Sequence, residues 1–239
     1  MSILLTLLFL GLSIGISIFA GYLSLRLIGK NIDWQYVSFG AGIFFVGITI
    51  HSLLALPIVV TAHGFKIFLD LHNKTELTFR VWEIFYFALA AGIGQEAAKG
   101  LPVWFELKRT NSKNPAHPYF WQGLNIGLGF SLSEILIIGI TSWQPEMDNL
   151  TLSNVFVGSF ERLSGTFFHI ATGLLIVFGI EKSKTKYFLP LCILLHAIAD
   201  FFAGYLSKYP LVSLPAEELV LFLFSITLLG TSLFFVRKG

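Results

Sequence analysis

Cysteine is all but missing from this chain, with Cys192 the only one in 239 residues. A lone thiol inside an apolar run can build neither an internal disulfide nor a thiolate metal site, so the redox compartment stays open. Charge is scarce too. Charged residues make up 13% of the chain against 55% hydrophobic ones, a balance far from soluble averages and close to polytopic membrane proteins. The net charge of +2 comes from cations in short loops between apolar runs and forms no basic face, so no nucleic-acid partner is implied. No repeat, low-complexity tract or Gly/Ser linker divides the sequence, so residues 1–239 read as one integral membrane domain. The HisGluXaaXaaHis signature of zinc peptidases is also absent. Finally, no cationic segment precedes the first apolar run, which is longer than the core of a cleavable signal, so it reads as a retained first helix.

What the chain does have is apolar length. A bilayer core about 30 Å thick needs roughly 20 apolar residues per helix. Seven runs meet that need, at residues 2 to 26, 36 to 62, 81 to 105, 118 to 142, 155 to 180, 187 to 207 and 214 to 236. The expected fold is all-α, a polytopic membrane bundle of about seven transmembrane helices. Arg26, Lys30, Lys108, Arg109, Lys113, Lys182, Lys184, Lys186, Arg237 and Lys238 fall on one side, and only Lys66, Lys74, Arg80 and Lys208 on the other. The excess of cations on the cytoplasmic side of membrane proteins then predicts an N-terminus outside and a C-terminus in the cytoplasm. In the second loop, Phe65, Phe68, Leu69 and His72 would share one face of a surface helix, which reads as an interfacial anchor in preference to a lid over an active site. The Asn-Xaa-Thr triplets at Asn73 and Asn149 carry no weight. Gly11 with Gly15, and Gly123 with Gly127, have the spacing that lets two helix backbones approach.

The informative residues are those that do not belong in hydrocarbon, where a charge costs at least about 2.5 kcal/mol. In the third run, Gln95, Glu96 and Lys99 lie within one turn, so Lys99 can reach back to both. In the fourth, Glu134 follows Phe130 by one turn and has no cation within a turn; it must be protonated, hydrated or answered from another helix. The fifth run opens its polar face with Glu161 and Arg162, and His169 follows about two turns on. The sixth places His196 and Asp200 at i, i+4, where the carboxylate can orient the imidazole. His51 has no acidic companion within a turn and reads as a packed core histidine. A bundle built only for packing would not concentrate these groups on four runs, so a buried, hydrated polar site is expected there.

A carboxylate beside histidines at low dielectric can act as general base on water while an imidazole supports an oxyanion, which is the equipment of a hydrolase. His169, His196, Glu134 and Asp200 are also competent ligands for a divalent metal such as zinc, so a metal-dependent scheme stands beside a cofactor-free one. A proton-coupled transporter would use similar residues but usually shows broken helices or two-fold repeats.

Taken in order, Gln95-Glu96-Ala97-Ala98-Lys99, Phe130-Ser131-Leu132-Ser133-Glu134, the stretch from Glu161-Arg162 to His169, and His196-Ala197-Ile198-Ala199-Asp200 resemble the YhfC and PrsW branch of glutamate-dependent intramembrane peptidases. That superfamily also contains the CAAX prenyl endopeptidases. The resemblance covers about residues 81 to 205. It implies that Glu134 binds and activates water, that His169 and His196 support the oxyanion, that Asp200 orients His196, and that Lys99 holds the glutamate motif. Glu96 matches the second glutamate of the family pair; the first, on which the family's mechanism leans as a base, is Gln95 here. An amide cannot take a proton from water, so either Glu96 or Glu134 serves as base. Two expectations follow. One is an intramembrane endopeptidase acting on membrane-associated proteins or peptides, with the lipid bilayer as its other partner, in a cell membrane of prokaryotic type. The other is a non-catalytic scaffold or pseudoenzyme, since the superfamily is also similar to the scaffold subunit of gamma-secretase.

Overall fold

Hydrocarbon offers backbone N–H and C=O groups no partner, so an apolar run that enters a bilayer folds as helix. In the computed structural model, which describes residues 2–63, 80–110, 120–141, 151–209 and 211–238, each apolar run does so. The described helices are α1 (Ser2–Arg26), α2 (Trp34–His63), α3 (Val81–Lys99), α4 (Leu101–Thr110), α5 (Phe120–Thr141), α6 (Leu152–Glu181), α7 (Thr185–Lys208) and α8 (Leu214–Lys238). All except α3 and α4 are long and apolar enough to cross a membrane. The chain is a multi-pass helical bundle.

The expected run from 81 to 105 is divided in two. Gly100 caps α3, and the short α4 begins directly after it with Pro102 in its first turn, where a missing N–H costs nothing. Within its 19 residues α3 carries Glu83, Glu96 and Lys99. Its start is fixed by Glu83, whose carboxylate accepts from the Arg80 backbone N–H at 2.5 Å. The start of α6 is fixed by Thr151, whose side chain accepts from the Asn154 N–H.

At the centre of the bundle stands α6, packed against α5, α8, α1 and α7, while α5 also packs on α2 and α3 lies between α2 and α7. A line of hydroxyls fastens α1 to this centre: Ser13 donates to Ser159 at 3.1 Å, and Thr166 lies 2.7 Å from both Ser17 and Ser131. One end of the bundle gathers Arg26, Lys30, Lys182, Lys184, Arg237 and Lys238. There Arg237 donates to the Leu27 carbonyl, and the Phe120 N–H donates to Glu181 at 3.1 Å.

Gly123 and Gly127 are the close-contact residues their spacing predicted. A Cβ at Gly127 would stand 2.2 Å from the backbone oxygen of His169, and one at Gly123 would stand 2.3 Å from that of Gly173. Gly11 and Gly15 are not: among the described residues a Cβ at either meets nothing within 4 Å, because none of the described helices packs on that face of α1. Spacing alone does not show which side of a helix has a neighbour. The segment holding Phe65, Phe68, Leu69, His72 and Asn73, and the one holding Asn149, lie outside the described residues.

Replacing Gly127 by Ala forces α5 away from α6 and is expected to cost about 1–3 kcal/mol, as overpacking does. Gly11→Ala is expected to stay within about 0.5 kcal/mol of the parent. Thermal unfolding of the two variants in the same detergent checks the difference, and equal midpoints would contradict the packing described.

Candidate active site

Lys99 and Glu96 have no side-chain exposure at all. The Lys99 ammonium meets Glu96 Oε1 at 2.6 Å, His169 Nδ1 at 2.8 Å and Thr172 Oγ1 at 2.9 Å. It also lies 4.9 Å from the centre of the Phe130 ring, whose face attracts a cation. Three N–H donors therefore find three acceptors on α3 and α6, which is what a buried ammonium needs. Lys99 does not reach Gln95, whose Oε1 is buried with no hydrogen-bond partner among the described residues.

An ammonium has no lone pair, so His169 Nδ1 must accept the bond from Lys99 and the ring proton sits on Nε2. That Nε2 lies 2.8 Å from Glu134 Oε2 and donates to it. The other oxygen of Glu134 lies 3.5 Å from Arg162, which also pairs with its neighbour Glu161. The carboxylate without a cation on its own helix is thus answered by two groups of α6, seven residues apart on one face.

His196 stands between two carboxylates, with Nδ1 2.5 Å from Glu96 Oε1 and Nε2 3.3 Å from Asp200 Oδ2. Asp200 therefore orients the ring from one side, and Glu96 holds it more closely from the other. The ring of Phe168 meets His196 edge-on at 5.2 Å. Ring centres of His169 and His196 are 5.7 Å apart.

In front of these groups lies a cavity of about 120 Å³, lined by Gln95, Glu134, Arg162, His169, His196 and Asp200 among others, with room for several waters. Glu96 and Lys99 are not on its wall; they lie behind the two histidines. Leu221 and Ser225 of α8 close one side. Its more exposed carboxylates, Glu161 and Asp200 at 43% and 42%, lie toward the end of the bundle away from the basic residues.

The structure thus brings together all the residues that the sequence singled out: Gln95, Glu96, Lys99, Phe130, Glu134, Glu161, Arg162, His169, His196 and Asp200. His51 is half-buried and not part of the core, with its backbone against Gly94. Thr172 was missed, although its place three residues after His169 put it on the same face. Helix α8 was missed as a wall, although its first two turns carry two buried carboxylates, Glu217 and Glu218.

Glu96, His169 and His196 each offer a ligand atom, all within 4.8 Å of one another. Two imidazoles and a carboxylate are donor types found in catalytic zinc sites. Glu96 Oε2, buried and without a partner among the described residues, is an acceptor that a cation would satisfy. Against this, Lys99 already places a positive charge on Glu96 and His169, so the set as it stands does not fit a second cation.

No curated protein and no solved structure matches the chain significantly. Residues 140–221, which hold Glu161, Arg162, His169, His196 and Asp200, match the family described as YhfC intramembrane metalloprotease.

Proposed function

We propose that the chain is an intramembrane endopeptidase that cleaves peptide bonds of membrane-associated proteins at the cavity in front of Glu134. The observation that carries this is Glu134 itself: a carboxylate within the bundle, 25% exposed, bound by His169 and Arg162 and facing space large enough for water. Structural ion pairs need no such space. The family match over residues 140–221 supports the same activity.

In this scheme a water donates one hydrogen bond to Glu134 and one to Gln95 Oε1. Glu134 takes its proton as the oxygen bonds to the scissile carbonyl carbon. The negative charge that develops on the carbonyl oxygen is met by His196 Nε2–H and by the guanidinium of Arg162, both of which line the cavity. Glu134 then passes the proton to the amide nitrogen as the C–N bond breaks. Gln95 holds the water but cannot deprotonate it, so Glu134 is the base. Glu96 acts through His196 as a positioning residue, since it is sealed from the cavity. No step requires a metal.

With the basic end of the bundle in the cytoplasm, the cavity receives water from the outer side, and the scissile bond lies nearer the outer leaflet. A scaffold reading draws on the Gln95 amide, and the same experiment separates the two.

Glu134→Gln keeps the shape of the site but removes the base, and is expected to lower cleavage at least about 100-fold. The measurement compares new protein termini in membranes of cells expressing the parent or the variant at equal level. Identical profiles would remove the peptidase reading and favour the scaffold. Gln95→Glu adds a second carboxylate at the water and is expected to leave cleavage equal or faster; a loss comparable to that of Glu134→Gln would contradict the role given to the amide. For sidedness, Ala203→Cys in a Cys192→Ser background is expected to react with a membrane-impermeant maleimide from outside intact cells. Reaction only from the cytoplasmic side would reverse the orientation.

A further inference from the structure

The donor set that could hold a metal already contains a cation, and it is covalently attached. Lys99 Nζ lies 2.6 Å from Glu96 Oε1 and 2.8 Å from His169 Nδ1, two of the three residues whose ligand atoms cluster within 4.8 Å. The third, His196, has Nδ1 against Glu96 at 2.5 Å and Nε2 against Asp200 at 3.3 Å. We propose that Lys99 is the resident cation of this site, standing where a divalent metal would bind and fixing His169 as a hydrogen-bond donor to Glu134.

Two features of the geometry support this, with Lys99 as an ammonium. The first is space and charge. A zinc ion bound to these atoms would sit about 2 Å from nitrogen and oxygen donors, which puts it against an ammonium that approaches two of the same residues. Lys99 is wholly buried, ends at Thr172 Oγ1 2.9 Å away, and lies over the Phe130 ring, so every contact around it holds it in place. The second is the count of lone pairs. A neutral imidazole has one. That of His169 is on Nδ1 and accepts from Lys99, while Nε2–H donates to Glu134. Neither the set of Glu96, His169 and His196 nor the alternative of His169, His196, Glu134 and Asp200 can use His169 as a ligand while this arrangement lasts. Lys99 is therefore a positioning residue, acting on Glu134 through His169. The inference concerns which cation the site holds, and it stands whether or not the chain is a peptidase.

The test uses the full chain purified in detergent and three proteins: the parent, Lys99→Met and Lys99→Met/His169→Ala. Each is equilibrated with zinc, desalted and analysed for metal per chain; affinity is then measured by competition with a chelator. Lys99→Met removes the charge and frees the His169 lone pair. It is expected to bind zinc at least about tenfold more tightly than the parent, and the double variant is expected to lose that gain. A parent that binds one zinc per chain as tightly as Lys99→Met overturns the proposal, as does a Lys99→Met protein that binds none. Should Lys99→Met fail to fold, nitrogen NMR of histidine-labelled parent decides, with His169 assigned by its absence in His169→Asn. The proposal requires His169 with a bare Nδ1 and a protonated Nε2, unchanged by equimolar zinc. A zinc-dependent shift of both His169 and His196 overturns it.

Discussion

An ammonium sealed from water inside a membrane bundle fixes the rest of this site. Removing such a charge from water carries a penalty of several kcal/mol, and breaking a buried pair by deleting one partner is strongly destabilising. Lys99 is tolerated because Glu96 on its own helix and His169 and Thr172 on α6 use all its donors. Those bonds set the registry of α3 against α6 and, through the histidine tautomer, decide what Glu134 meets. Glu96 has a second task, since the same oxygen that accepts from Lys99 faces His196. One buried ion pair thus orients both imidazoles.

The polar groups could not meet without close backbones. At Gly127 the absent side chain lets α5 approach the backbone oxygen of His169 itself, and Glu134, about two turns further along α5, is brought within 2.8 Å of the His169 ring. Van der Waals contact at small residues and hydrogen bonds between side chains are the forces that hold helices together where the hydrophobic effect is absent. Here the two are adjacent. Polar groups divide into a buried layer, Lys99 and Glu96, and a layer facing the cavity, Glu134, Arg162, Gln95 and Asp200, with the histidines bridging them.

Much of this was legible from the chain because a bilayer allows few structures. Apolar length gave every long helix except α3 to within a few residues. The cost of charge in hydrocarbon made Glu134, His169, His196 and Asp200 stand out without any coordinates. The failures have equally physical causes. Gly11 and Gly15 have the same spacing as Gly123 and Gly127, yet among the described residues only the second pair faces a neighbour. The run from 81 to 105 read as continuous because composition does not register the break that Gly100 and Pro102 make. Leu221 and Ser225 carry no charge or motif and became part of the cavity wall only through the packing of α8 on α6.

The sequence by itself determined that this is a helical membrane protein, and which side chains need a reason to be inside it; both follow from the free energy of placing a group in hydrocarbon, which depends on residue type and run length alone. Tertiary structure decided the pairings. It brought His169 to Lys99, gave Glu134 its partners on α6 and set His196 against Glu96, because hydrogen-bond partners separated by 35 to 100 residues are fixed by how helices pack, not by their spacing along one helix.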